Sequence, residues 1–418
     1  MKIQVLGAAK EVGGSCIAVE TDSCKVALDY GTKLDGEMQN LPKDFDAVII
    51  SHAHLDHSGS LLSLSKENPL LIGSPITRDV TGDLLRDMVK IQNEKGTFDF
   101  TSSHAENIDG CWHVGDSYVL QGTKIQLQPA GHVAGAKITT LQSEGKRIVY
   151  TGDFCFHDTE ILQGCKSESI PKRPDVLITE STYGGKVRPP RNELINQLLK
   201  QLLFTMKHKG NVLIPTFAFH RSQEMAKRID LAIESGLLPK YNVYTISNLA
   251  NRITRYYNQN KPLFTKEIKA QNSPFNYKHI KHVFTTAQID EPAIVICTAG
   301  FGHAGASLRL LADWGDNKAN SVIVTSGYLP PDSPLKSAKE NLCFKTADGE
   351  TVSVKADVQQ IELSGHADQL ELIQLISKVK PERTLLVHCD IEQAEALSEK
   401  IGDMTDVSIP ERNEIIDA

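Results

Sequence analysis

The chain has 418 residues, with 45 Lys+Arg against 52 Asp+Glu for a net charge of −7, and 40% of it is hydrophobic. That balance excludes a disordered or fibrous chain, and the length predicts two domains instead of one core. No run of 18 apolar residues and no basic-then-apolar leader occurs, so neither a transmembrane helix nor a secretory signal is expected. The eight cysteines form no C-x-x-C pair, which suits reduced thiols and a cytoplasmic location.

The charge is unevenly spread. Residues 181–287 hold 17 Lys/Arg against five acids (Glu193, Glu224, Asp230, Glu234, Glu267), a local charge of +12 that leaves −19 for the rest. A basic block in an acidic chain points to a polyanionic partner.

In chain order, "KIQVLG" and "SCIAVE" read as strands flanking a Gly13-Gly14 turn, and "KVALDYG" is a strand ending on Asp29. "DAVIIS" is a compact strand that delivers His52, His54, Asp56 and His57 at its carboxyl end. Composition alone would give the pattern H-x-H-x-D-H in roughly one such chain in a thousand. In extended chain His52 and His54 point the same way, and Asp56 and His57 fall at the turn into "SGSLLSLSKE", where Ser58 is the expected cap. "KIQLQPAGHVAGA" runs from a strand into a glycine turn with His132, "RIVYTGDFC" into Asp153, and "DVLITESTYGG" into Glu180. Strands that each end on one polar residue beside a small one imply a sheet whose ends meet at a common site. Residues 191–240 are helical in period, and "NVLIP", "YNVYTIS", "AIVICTAG" and "SVIVTSGY" then alternate with helices in an α/β pattern. The tail offers "ETVSVKADVQQIEL", the helix "ADQLELIQLISKV" and the strand "RTLLVH".

Asp29, H-x-H-x-D-H at 52–57, "GHVAGA" with His132 and "TGDF" with Asp153 resemble the four motifs of the metallo-β-lactamase superfamily. "TESTYG", "LSGHADQ" and "LVHCD" resemble the three further motifs of its β-CASP branch, which comprises RNA and DNA nucleases such as RNase J and the pre-mRNA 3′-end cleavage subunit. The order is kept from about residue 1 to 400, in the manner of the compact two-domain prokaryotic members. The resemblance implies an αββα sandwich formed by residues 1–190 and 341–418, with an α/β β-CASP domain inserted at 191–340. It further implies that His52, His54 and His132 hold one metal, that Asp56, His57 and His388 hold the other, and that Asp153 bridges them. Two Zn²⁺ per chain suit imidazole and carboxylate ligands, although Mn²⁺ or Fe²⁺ accept the same set. Asp56 and His366 are the implied catalytic residues, with His366 as proton donor to the leaving oxygen, Glu180 orienting His366, and Asp29 supporting the histidines. The implied reaction is cleavage of single-stranded RNA by a metal-activated hydroxide, leaving 5′-phosphate and 3′-hydroxyl ends, in an endo- or 5′-exonucleolytic mode.

The middle segment departs from the family pattern. "PTFAFHRSQE" carries His220 where glycine is usual, and "YTISNLA" has Asn248 in place of a proline. Loops of this kind line the nucleic-acid channel in the family, which makes Arg221, Ser247, Thr298 and Ser326 the expected substrate contacts within the basic 181–287 segment and beyond it. A DNA exonuclease of the same branch and another dizinc hydrolase remain as alternatives, as does a homodimeric arrangement. A non-catalytic scaffold is disfavoured because none of the seven ligand positions is lost.

Overall fold

The computed structural model describes residues 1–418 apart from 95, 97, 98, 347 and 348. It divides into two compact units, Met1–Val187 with Gly365–Ala418, and Arg188–Ser364.

The first unit contains two seven-stranded sheets. One runs Ile415–Asp417, Lys2–Gly7, Cys16–Glu20, Lys25–Leu28, Ala47–Ile49, Leu71–Gly73 and Trp112–Val114 in spatial order. The other runs Asp406–Ser408, Arg383–Val387, Val176–Glu180, Lys146–Tyr150, Lys137–Ser143, Thr123–Pro129 and Ser117–Leu120. Alternation along the strands decides their packing. Ile3, Val5, Ile17, Val19, Val26 and Leu28 of the first sheet share one core with Ile125, Leu141, Ile148, Val176, Ile178 and Leu385 of the second. The opposite parity (Leu6, Ala18, Ala27, Val48) packs with Leu85, Met88 and Val89 of the helix Pro75–Glu94 and with Ala105 and Ile108 of Ser102–Asp109. Both faces of such a sheet are therefore closed to water, as an αββα arrangement requires.

The second unit is built on a six-stranded, all-parallel sheet ordered Lys281–His282, Asn242–Ile246, Ala293–Cys297, Val212–Pro215, Ser321–Val324, Asp357–Gln360. Val212, Ile214, Ile294 and Ile296 face the helices Arg191–Lys207 and Arg221–Glu234. Leu213, Val295 and Val322 face Gly305–Trp314 and Pro334–Asn341. Residues 341–364, expected with the C-terminal part, lie in this unit instead. The reason is pairing: Asp357–Gln360 adds to Ser321–Val324 as the outermost strand, so the chain returns to the first unit only at Gly365.

A second local difference concerns Ser58. The helix after the histidine cluster is one turn long, Leu55–Ser58, and continues as 3₁₀ over Gly59–Leu64. Ser58 caps nothing; its hydroxyl donates back to the carbonyls of Ala53 and His54, a local bond that competes with capping.

Candidate metal centre

Six strand ends of the first unit supply the polar cluster. Lys25–Leu28 ends on Asp29, Ala47–Ile49 leads to His52, Thr123–Pro129 to His132, Lys146–Tyr150 to Asp153, and Arg383–Val387 to His388, while Val176–Glu180 closes on Glu180 itself. Parallel pairing of Lys25–Leu28 with Ala47–Ile49, and of Lys146–Tyr150 with Val176–Glu180 and Arg383–Val387, keeps these carboxyl ends level.

The seven residues expected to bind metal converge in two groups. Ligand atoms of His52, His54, His132 and Asp153 lie within 4.8 Å of one another, as do those of Asp56, His57 and His388. His52 Nε2 is 3.0 Å from His54 Nδ1, and His132 Nε2 is 3.4 Å from the same nitrogen. Asp153 stands at the junction, 3.6 Å from His52 Nε2, 3.3 Å from His57 Nε2 and 3.6 Å from His388 Nδ1. His57 Nε2 and Asp153 Oδ1 are buried without a hydrogen-bond partner. Orphaned buried polar atoms are costly unless an ion completes them, so the donor set fits divalent metal.

Burial holds several imidazoles neutral, which is the state a metal accepts. It pushes His52 and His132 well below the ordinary histidine value, and His54 to about 4. His57 goes the other way: burial opposes the charge, but Asp153, Asp29 and Asp56 together raise it well above the usual range. Asp153 and Asp56, despite burial, are held ionised by neighbouring histidines, His57 foremost.

Asp29 collects the outer hydrogen bonds. It accepts from Ser51 N at 2.6 Å, Ser51 Oγ at 2.8 Å and Tyr150 OH at 2.7 Å, and lies 2.7 Å from His57 Nδ1. Its φ of 61° is a left-handed value that Asp tolerates better than most residues. His132 Nδ1 is fixed against the Gly365 carbonyl at 2.9 Å. Both arrangements turn an ε nitrogen inward. Glu180 is equally fixed, taking Phe154 N at 2.9 Å on one oxygen, and Thr182 Oγ1 at 2.6 Å and His366 Nδ1 at 2.8 Å on the other.

One residue was not marked by the sequence. Glu371, in the first turn of the helix Gln369–Val379, accepts Phe156 N at 2.9 Å and His157 N at 3.0 Å, and closes a capping box with Asp368. It ties the loop after Asp153 to the helix after His366. The capping pattern D-x-x-E was visible in "ADQLE"; its second task, across 215 residues, was not.

The expected substrate contacts all lie in the second unit. Arg221 is 14% exposed and pairs with Glu224, which Arg191 and Arg228 also approach. Ser247 caps the helix Asn248–Gln259, and Ser326 donates to the Tyr328 carbonyl. Thr298 follows the strand Ala293–Cys297, its carbonyl accepting from Ser307 N. His220 occupies φ 67°, a conformation that favours glycine, with its ring held by Tyr257 OH at 2.9 Å.

Three family models match the chain: a beta-lactamase superfamily domain over residues 33–187, a Beta-Casp domain over 222–333, and a Zn-dependent metallo-hydrolase RNA specificity domain over 351–410. An RNase J-like protein of Methanocaldococcus jannaschii is 32% identical over 91% of each chain. The chain belongs to the β-CASP nucleases of the metallo-β-lactamase superfamily. Integrator complex subunit 11 of Danio rerio is 30% identical over 96% of this chain and 71% of its own length. Among solved structures, a protein of unknown function from Enterococcus faecalis shares the fold with a TM-score of 0.62 at 16% identity, covering 99% of both chains. This β-CASP chain is thus a metal-dependent hydrolase of phosphodiesters, and its His/Asp clusters are where divalent metal fits. Among the described residues no helix is long and apolar enough to cross a membrane.

Proposed function

We propose that this protein is a zinc-dependent ribonuclease that cuts single-stranded RNA to 5′-phosphate and 3′-hydroxyl products. The observation that carries the reading is the junction at Asp153, where two groups of ligand atoms meet around one buried carboxylate with an orphaned oxygen. His52, His54 and His132 would hold one ion, Asp56, His57 and His388 a second, and Asp153 both. Ions held there would supply Lewis acidity for activating a water and positive charge for the phosphoryl group.

The remaining work falls to the chain itself. Glu180 accepts a hydrogen bond from His366 Nδ1, which leaves Nε2 to carry the transferable proton. With Glu180 pinned by Phe154 N and Thr182, the imidazole keeps one orientation, as a general acid toward a leaving 3′-oxygen needs. The RNA preference draws on the matched RNA specificity model, whose 351–410 span includes His366 and His388, and on the relatives' names.

Elemental analysis of purified protein should find about two transition-metal ions per chain, mainly zinc. Matched RNA and DNA oligonucleotides, end-labelled and bearing different 5′ groups, should show cleavage of RNA with phosphate on the new 5′ end. Fewer than one metal after zinc supplementation would sink the dinuclear assignment. Equal or better cleavage of DNA would move the assignment to a DNA exonuclease.

A further inference from the structure

The second unit's sheet has an outer strand of only two residues, Lys281–His282, and the turn after it is unusual for a protein surface. Phe284 is 66% exposed. A single exposed aromatic needs no explanation by itself, but this one is held in place. Gln288 Oε1 accepts from both Phe284 N at 2.8 Å and Thr285 N at 3.2 Å, and Thr285 with Gln288 forms a full capping box around the turn Thr286–Gln288. The His282 ring packs edge-on to it, with centroids 5.1 Å apart and planes at 79°. His282 in turn is bonded through Nδ1 to Thr245 Oγ1 at 3.3 Å, and its buried Nε2 has no partner. Burial, and then the nearby Arg255 guanidinium, lower the pKa of His282 against its bond to Thr245, so the supporting ring is neutral at neutral pH.

Position points the same way. All six strands run parallel, with Tyr244 opposite Lys281, Thr245 opposite His282, and Ile246 opposite Cys297. Phe284 therefore leaves the sheet at the same carboxyl edge as Ser247 and Thr298. Ligands of open parallel sheets collect outside that edge. So does the charge agree. Arg255, near enough to His282 to lower its pKa, is exposed, and among the described residues it forms no ion pair.

We infer that Phe284, seated on His282 with the Arg255 guanidinium nearby, is a base-stacking subsite for a single-stranded nucleic acid. The inference rests on the nuclease assignment and deepens it. Every base offers a π face, so the subsite grips a strand without reading its sequence, while the Arg255 guanidinium meets a neighbouring phosphate. A duplex, whose bases are already stacked, gains nothing from it.

The test is binding of slow-cleaving phosphorothioate oligonucleotides that carry 2-aminopurine, in ribo and deoxyribo forms, to wild type, Phe284→Ala and Phe284→Trp. Wild type should quench the 2-aminopurine. Phe284→Ala should lose roughly tenfold or more in affinity for either single strand, with the quenching. Phe284→Trp should keep both, and a duplex of the same sequence should bind all three proteins alike. Phe284→Ala binding single strands as wild type does would overturn the stacking subsite while leaving the nuclease assignment standing. A wild type that binds neither strand would overturn both. A fall in self-association in Phe284→Ala, with strand affinity unchanged, would make the ring a contact between protein copies and end the proposal.

Discussion

His366 and His388 are 22 residues apart and both border the Asp153 carboxylate, at 3.8 and 3.6 Å. Their surroundings differ. His388 is 3% exposed, places Nε2 3.3 Å from Asp56, and belongs to the group with Asp56 and His57. His366 is 21% exposed and spends Nδ1 on Glu180. A residue that moves a proton needs access to the substrate, whereas a ligand needs enclosure. His366→Ala should keep both metals and RNA binding and lose turnover by at least about a hundredfold. His388→Ala should lose one metal and activity together. The contrary outcome is concrete: an equal fall in metal content in the two variants makes His366 a ligand, through the group it forms with Asp153 and Glu180. The cluster was readable in the sequence because its members sit at strand ends in short, dense motifs. The residues that orient them were not. Ser51 and Tyr150 reach Asp29 over 22 and 121 residues, and no local pattern encodes such contacts.

At the scale of elements, the second unit shows what sequence periodicity conveys and omits. Helices and buried strands announce themselves, but the partner of a strand does not, which is why 341–364 were expected with the other unit. Nor does the sequence show that Glu224 fastens two helices on one face of the sheet. It pairs with Arg221 at the start of its own helix and with Arg191 at the start of Arg191–Lys207, and Arg228 stands 3.9 Å away. Although burial opposes ionisation, Arg221 and Arg191 bring its pKa from the ordinary 4.5 to about 2. A depressed folded pKa means stability that is complete above the unfolded value and is lost as pH falls toward the folded one. That gap corresponds to about 3 kcal/mol at neutral pH. Glu224→Gln should therefore lower stability by about that amount at pH 7, and the difference should narrow by about 1 kcal/mol by pH 3.5. Denaturant midpoints measured across this range check it; a difference that ignores pH would mean that packing, not charge, holds the helices.

For the whole molecule the uneven charge has a functional consequence. Of the 17 Lys/Arg in residues 181–287, seven are buried or half-buried, including Arg191, Arg221, Lys227 and Arg228, and several of these are tied to Glu224 or to backbone carbonyls. Arg221, the expected phosphate contact, already has a carboxylate partner. The other ten are exposed, Arg255, Lys266, Lys269 and Lys281 among them, and exposed cations are the ones a polyanion can reach. Each phosphate neutralised releases counterions, with a log–log salt slope near −0.7 per contact for a single strand. If about four or five of the exposed cations engage RNA at once, the slope should be roughly −3. Arg255→Gln should weaken binding to all sequences alike and make the slope shallower by about 0.7. Arg221→Gln should instead act mainly through Glu224, lowering stability more than it changes the slope. Titrations of a single-stranded oligonucleotide from low to physiological salt distinguish these effects. An affinity that does not change with salt would mean that the basic segment is not where the strand binds.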